Sequence, residues 1–181
     1  MTPDRVINVH GHIHRTDDLR ARVRLWEQWR VARFCCACLR ERWSKPESGG
    51  YFTNQDFLAA RRQYGDILVG LAAVNLTAAE CDTPSDVQRY RDLGFEGLKF
   101  IDNDRPYSHE VHFPLYEKAA GLGMPILFHT GYVAACGDGS DAKFGIDSEH
   151  LRPYHFDRIA RRVPHTASEI SAAPPRKGQA A

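Results

Sequence analysis

Three histidines alternate near the start of the chain, in the segment INVHGHIH that covers residues 7–14. On a β-strand, side chains two residues apart point to the same face of the sheet, so His10 and His12 can reach one point in space. Neutral imidazoles that converge in this way are common metal ligands. The spacing is that of a divalent metal site, although a pair of surface histidines on an edge strand has the same pattern.

The composition is that of an ordinary globular protein, with 43% hydrophobic and 26% charged residues in a chain of 181. The 24 basic and 23 acidic side chains nearly balance, which argues against a nucleic-acid partner and against an anionic membrane surface. No apolar segment approaches the roughly 20 residues of a membrane span, and the first residues lack the apolar region of a signal peptide. We therefore expect a cytoplasmic protein that acts on a small molecule.

Apolar segments of strand length alternate with segments of helix length along the chain. The strands are almost continuously apolar, which is typical of parallel strands covered by helices. The predicted class is therefore α/β, with about five βα units. Strands are predicted at 5–10, 32–39, 66–76, 97–101 and 124–130, and helices near 19–26, 54–64, 83–94, 113–123 and 153–163. Thr83 and Asn54 are the expected N-caps of the third and second helices.

Long segments follow three of the strands, at 40–53, 102–112 and 130–150, whereas the turns before each next strand are short. In parallel α/β folds the loops after the carboxyl ends of the strands build the ligand site. His10, Lys99 and His129 all stand at such ends, so we expect the site on that face. His112, in the second of these loops, is interpreted as a solvated loop residue.

The opening INVHGHIH resembles the H-x-H motif on the first strand of the metal-dependent amidohydrolase superfamily. The segments GFEGLKF and PLYEKAAGLGMPILFHTG resemble strands four and five of its amidohydrolase-related branch, which contains both hydrolases and nonoxidative decarboxylases. LRPYHFDRIARRVP resembles the helix before the sixth strand of that branch. The resemblance covers residues 5–164 and implies part of a TIM (β/α)₈ barrel.

The resemblance also implies a metal in the mouth of the barrel, with His10, His12 and His129 as its ligands. Three neutral imidazoles with an open position are the ligand set of a catalytic zinc, so we expect a divalent metal, zinc. The implied activity is hydrolysis, in which metal-activated water attacks an amide, ester or lactone carbonyl. Nonoxidative decarboxylation, the reaction of a carbon–carbon lyase, is the alternative.

Three further residues are candidates for contact with the substrate. His14 follows the H-x-H pair and is interpreted as a loop or substrate-contacting residue. Lys99 ends the fourth strand, where it can contact substrate, serve as a structural charge or, as in other branches of the superfamily, be carbamylated to bridge two metals. Tyr132 lies in the loop after His129.

Two parts of the family pattern have no counterpart in this chain: a histidine on strand six and an aspartate that ends strand eight and handles the proton. The catalytic residue is therefore unknown, and a catalytically inactive fragment stays among the alternatives. We divide the chain into barrel at 1–164 and a disordered or non-native low-complexity tail at 165–181, which contains His165. A complete barrel takes about 250 residues, so we expect either a truncated form of a longer protein or a half-barrel that closes as a homo-oligomer.

Overall fold

The protein folds into a curled sheet of six parallel strands, with helices packed against its convex face. The computed structural model describes residues 5–43, 49–130, 147–164 and 168–172. Hydrogen bonds join the strands in chain order, and every neighbouring pair is parallel. The strands are β1 (Val6–Gly11), β2 (Val31–Ala37), β3 (Leu68–Leu76), β4 (Gly97–Asn103), β5 (Ile126–Thr130) and β6 (Ser168–Ala172).

One helix follows each of the first five strands. The helices are α1 (Leu19–Gln28), α2 (Asn54–Tyr64), α3 (Pro84–Asp92), α4 (Phe113–Gly121) and α5 (His155–Arg162). The predicted α/β class and the partial barrel of five βα units are confirmed. None of the helices within the described residues is both long and apolar enough to cross a bilayer.

The helix starts follow local side-chain chemistry. Thr83 caps α3 as expected, in a capping box in which its hydroxyl accepts from the Asp86 amide and the Asp86 carboxylate accepts from the Thr83 amide. The expected cap of α2 is wrong by one residue, because Thr53 makes the same kind of box with Asp56. The Asn54 side chain instead bonds both backbone groups of Ala73 in β3, at 2.8 and 3.1 Å.

The main core lies between the sheet and the helices. It contains buried aromatic side chains from every layer, among them Trp26, Phe34, Phe57, Phe95, Phe100, Tyr107, Tyr116 and Phe128. The concave face carries a much smaller apolar cluster of Ala37, Leu71 and Leu127, from β2, β3 and β5. The sheet curls around this cluster, and the candidate site residues lie next to the cluster, towards the carboxyl ends of the strands.

The register of the strands shows which residues share that concave face. Lys99 of β4 pairs with Leu127 of β5, and His129 follows Leu127 by two positions. Neighbours in register, and residues two apart on one strand, point to the same side of a sheet. Lys99 and His129 therefore lie on the concave face, towards the carboxyl ends of their strands.

The sheet continues into the segment where we expected a low-complexity tail. The backbone of Ser168–Ala172 pairs in parallel with Ile126–Thr130. Strand pairing satisfies the outer peptide groups of β5 with backbone alone, which needs no apolar side-chain pattern. The other residues of 165–181 lie outside the described part of the chain, and the boundary at residue 164 stays a prediction.

Strand β1 forms the other side of the described sheet. Three of its apolar side chains are exposed: Val6 by 40%, Ile7 by 62% and Val9 by 49%. The buried part of the segment begins only at its far end, where Ile13 is fully enclosed. The amino-terminal half of β1 therefore presents an exposed apolar surface at one edge of the described sheet.

Candidate metal centre

His10 and His12 lie together at the carboxyl end of β1. Their ring centroids are 5.1 Å apart, with the rings edge to face. A register shift against β2 falls between Asn8 and Gly11, so the strand bulges just where the histidines leave it. The structure thus brings together the pair that the H-x-H spacing predicts.

The ring of His12 is held in one orientation. Its Nδ1 atom lies 2.7 Å from the backbone carbonyl oxygen of Ala37 in β2. A carbonyl oxygen only accepts hydrogen bonds, so Nδ1 carries the proton and Nε2 keeps its lone pair. Metal-binding histidines are typically fixed in this way by a carbonyl or carboxylate behind them.

The ring of His10 also presents a nitrogen atom that has no hydrogen bond within the described residues. Its Nε2 atom is buried and has no hydrogen-bond partner among the described residues. Buried polar atoms of this kind usually have a partner, and their exceptions call for an explanation such as water or an ion. A cation between His10 and His12 would supply it.

Both imidazoles are neutral at pH 7. Burial lowers the pKa of His10 to about 4, helped by the charge of Lys99 and by His12. Burial also lowers the pKa of His12 to about 4; the Ala37 carbonyl opposes this shift and the charge of Lys99 adds to it. The neutral form is the one that binds a metal ion.

Lys99 is fully buried on β4, and its charge acts on both histidines. His129 is half-buried and leaves β5 on the same concave face. The sheet of the described residues has six strands in chain order; in a complete barrel of eight strands, strand five would stand opposite strand one, which is where the predicted third ligand is expected. Within residues 5–43, 49–130, 147–164 and 168–172, no three His, Cys, Asp or Glu side chains are arranged to hold a metal ion.

The fit of the site to a divalent cation therefore rests on His10 and His12. His10 and His12 have the donor chemistry, the neutral charge state and the oriented lone pair that a metal ligand needs. His129 lies near the carboxyl end of β5, and within the described residues it does not complete a set of three ligands. The assignment of all three histidines as ligands stays a prediction.

Tyr51 is a site residue that the sequence analysis missed. Its ring centroid lies 4.3 Å from that of His14 and 5.4 Å from that of His12. An isolated antiparallel bridge joins His14 to Tyr51, so the first long loop folds back over the mouth. The only signal was its place in segment 40–53, because the sequence does not show which loop residue meets the histidines.

The other candidates are placed as follows. His14 lies beside the pair, where its backbone amide donates to the Asp17 carboxylate at 2.8 Å. Tyr132 lies outside the described residues. His112 is fully buried, so its interpretation as a solvated residue is wrong: it stands directly before α4, as the N-cap residue of that helix.

Tyr107 is a second residue that the sequence analysis missed. It is fully buried in the loop after β4, and its hydroxyl lies 3.0 Å from the backbone carbonyl oxygen of His129. It thus contacts the backbone of the predicted third ligand. Nothing in the sequence indicates this contact, because a lone tyrosine in a polar loop has no pattern.

A family described as Amidohydrolase matches residues 7–167, which is most of the chain. The chain belongs to the amidohydrolase family. The curated proteins offer no match to this amidohydrolase sequence.

Solved structures with the same fold include hydrolases and decarboxylases. An uncharacterized TIM-barrel protein from Bordetella bronchiseptica is 18% identical, with a TM-score of 0.57 over 83% of this chain and 50% of that one. A probable 2-pyrone-4,6-dicarboxylic acid hydrolase from Acinetobacter baumannii is 13% identical, with a TM-score of 0.55 over 92% and 57%. A 5-carboxyvanillate decarboxylase from Novosphingobium aromaticivorans, solved with bound manganese, is 14% identical, with a TM-score of 0.51 over 84% and 48%. This amidohydrolase chain spans about half of the length of the structures that it matches.

Proposed function

We propose that the chain forms the amino-terminal side of a metal-dependent hydrolase active site of the amidohydrolase type. In this proposal His10, His12 and His129 hold a divalent cation, zinc, in the mouth of the barrel. A zinc ion held by imidazoles lowers the pKa of bound water to about 7 and polarises a carbonyl, which is the chemistry of amide, ester or lactone hydrolysis. The observation that carries the proposal is the His10–His12 pair, in which the Ala37 carbonyl orients the ring of His12.

The chain's own residues have distinct parts in this proposal. His12 offers Nε2 because its Nδ1 proton is held by Ala37, and His10 offers its buried Nε2. Lys99 supplies a positive charge beside the pair, which suits a substrate oxygen that gains negative charge. His14 and Tyr51 form a wall of the mouth against which a small substrate can pack.

Hydrolysis is preferred because neutral imidazole ligands with an open position suit a metal ion that activates water. Several structural neighbours carry the name of a decarboxylase, and decarboxylation was the alternative from the sequence. Within the described residues, no observation favours that alternative over hydrolysis. Zinc is preferred to manganese because imidazole suits zinc, whereas manganese favours carboxylate and water ligands.

Metal titration tests the proposal. The metal-free chain is titrated with zinc and with manganese by calorimetry, beside His10→Gln, His12→Gln and His129→Gln. We expect one zinc site per chain, weakened by each of these substitutions. His109→Gln is the matched control, because His109 is an exposed histidine in the loop after β4.

We expect the zinc to be held weakly and to be removed by chelators, because the described residues close no set of three ligands. Equal zinc affinity of His10→Gln and His109→Gln would overturn the proposed site. Stoichiometric zinc that survives a chelator would instead contradict the expected weakness and show a complete ligand set in the chain.

A further inference from the structure

The ladder between β4 and β5 stops just below the candidate site. Its paired residues are Leu98 with Ile126, Lys99 with Leu127, and Phe100 with Phe128. Beyond this point β4 continues beside β3, and His129 pairs with β6. The backbone pairing between β4 and β5 therefore includes Lys99 and ends before His129.

A tyrosine hydroxyl bridges the strands where the ladder ends. The Tyr107 hydroxyl oxygen lies 3.2 Å from the carbonyl oxygen of Phe100 in β4 and 3.0 Å from that of His129 in β5. The hydroxyl has one proton, which these two acceptors share. One side chain thus ties together the carboxyl ends of both strands.

Tyr107 is itself held on every side. Its ring packs edge to face on Phe128, with centroids 4.9 Å apart, and is stacked on Phe156 at 6.0 Å. Its carbonyl oxygen accepts a hydrogen bond from the Tyr116 hydroxyl at 2.8 Å, and its amide donates to the His150 carbonyl at 3.3 Å. The residue is fully buried, so its hydroxyl has a fixed position.

We propose that Tyr107 is a positioning residue, whose hydroxyl holds the carboxyl end of β5 against β4 and so fixes the point from which His129 reaches the metal site. This inference rests on the proposed function, because it assigns Tyr107 a part in metal binding. The contact is to the backbone of His129, so the hydroxyl acts through the strand and not on the ion.

A purely structural tyrosine is the competing explanation, and Tyr116 provides the matched control. Tyr116 is also fully buried, and its hydroxyl also donates to a backbone carbonyl, that of Tyr107. Tyr107→Phe and Tyr116→Phe each remove one buried oxygen and leave the ring in place. Only Tyr107→Phe removes the bond to the His129 carbonyl.

The test compares zinc affinity in the full chain by calorimetry. We expect Tyr107→Phe to weaken zinc binding roughly tenfold or more, the usual effect of losing a group that supports a metal ligand. We expect Tyr116→Phe to weaken zinc binding much less, because the Tyr107 ring keeps its contacts with Phe128 and Phe156. In a His129→Gln background, Tyr107→Phe should have no further effect, because a residue that acts through His129 is silent without it.

Amide hydrogen exchange of the metal-free chain gives a second readout. Exchange at His129 and Thr130 should rise in Tyr107→Phe, which removes the bond to the His129 carbonyl, and rise less in Tyr116→Phe, which keeps it. Equal zinc affinity of the two variants, or an undiminished loss in the His129→Gln background, overturns the positioning role alone. Failure of the wild-type chain to bind zinc overturns the proposed function, and the metal role of Tyr107 with it.

Discussion

The ring of Phe34 fills the space into which a side chain on Gly11 would project. A Cβ atom added at Gly11 would lie 2.3 Å from Cζ of Phe34. Phe34 is buried and stacked on Trp26, with ring centroids 4.2 Å apart, so it has little room to turn away. Because Gly11 separates His10 from His12, the placement of both imidazoles depends on a residue without a side chain.

Gly11→Ala should therefore damage fold and site together. Overpacking of this kind costs about 1–3 kcal/mol, which we expect as a lower free energy of unfolding in urea, together with weaker zinc binding. Gly121→Ala is the control, since a Cβ atom there meets nothing within 4 Å. Wild-type stability and zinc affinity in Gly11→Ala would contradict the tight contact.

His112 should make the fold sensitive to acid. Burial lowers its pKa from 6.5 to about 4, so the unfolded chain binds more protons than the folded chain between these values. The contribution of neutral His112 to the free energy of unfolding is complete above pH 6.5. It is lost as the pH falls towards 4, by roughly 3 kcal/mol at 1.4 kcal/mol per pH unit. Urea unfolding between pH 7 and pH 4.5 should show a flatter pH dependence in His112→Asn than in the wild type.

The exposed neighbour His109 supplies the control for this experiment. Burial is the main cause of the His112 shift and the charge of His109 a lesser one, so His109→Asn should flatten the pH dependence of stability less than His112→Asn does. His10 and His12 shift in the same direction and remain in all three proteins, so the difference isolates His112. Identical slopes in His112→Asn and the wild type would show that His112 is not held neutral by burial.

Lys99 should oppose the binding of a cation to the histidine pair. Replacing it by Met keeps a long apolar side chain and removes a charge that acts on both His10 and His12. At an effective dielectric constant near 20 this repulsion is worth on the order of 1–2 kcal/mol, so Lys99→Met should bind zinc roughly tenfold more tightly. Lys118→Met, which removes a charge bonded to Gln88 on the helical side, should leave the affinity unchanged. Weaker zinc binding in Lys99→Met would indicate instead that Lys99 helps to hold the metal.

The sequence predicts those parts of the fold that rest on local chemistry. The apolar segments become the parallel strands, and Thr83 caps α3 as its spacing with Asp86 indicates. Strand β6 was not predictable, because its pairing with β5 uses backbone groups that leave no side-chain pattern. Thr53 was missed as a cap because Asn54 beside it has an equally suitable side chain, which β3 binds instead.

The candidate site divides in the same way. His10 and His12 were predictable, because two residues on one strand share a face whatever the rest of the chain does. Tyr51 and Tyr107 were not, because each reaches the histidines from a loop whose path depends on tertiary packing. The burial of His112 also depends on that packing, since it lies in the loop after β4 and is fully buried.

The outer strand β1 has a consequence for the behaviour of the protein in solution. Its apolar side chains Ile7 and Val9 stand beside a sheet edge, which is a template for the addition of another strand. We therefore expect the protein to aggregate as its concentration rises, and Ile7→Lys to aggregate less, because a lysine on an edge strand hinders the addition of another strand. Static light scattering at increasing protein concentration measures this difference. Binding stoichiometries should therefore be measured at low protein concentration, where chains are not buried in aggregates.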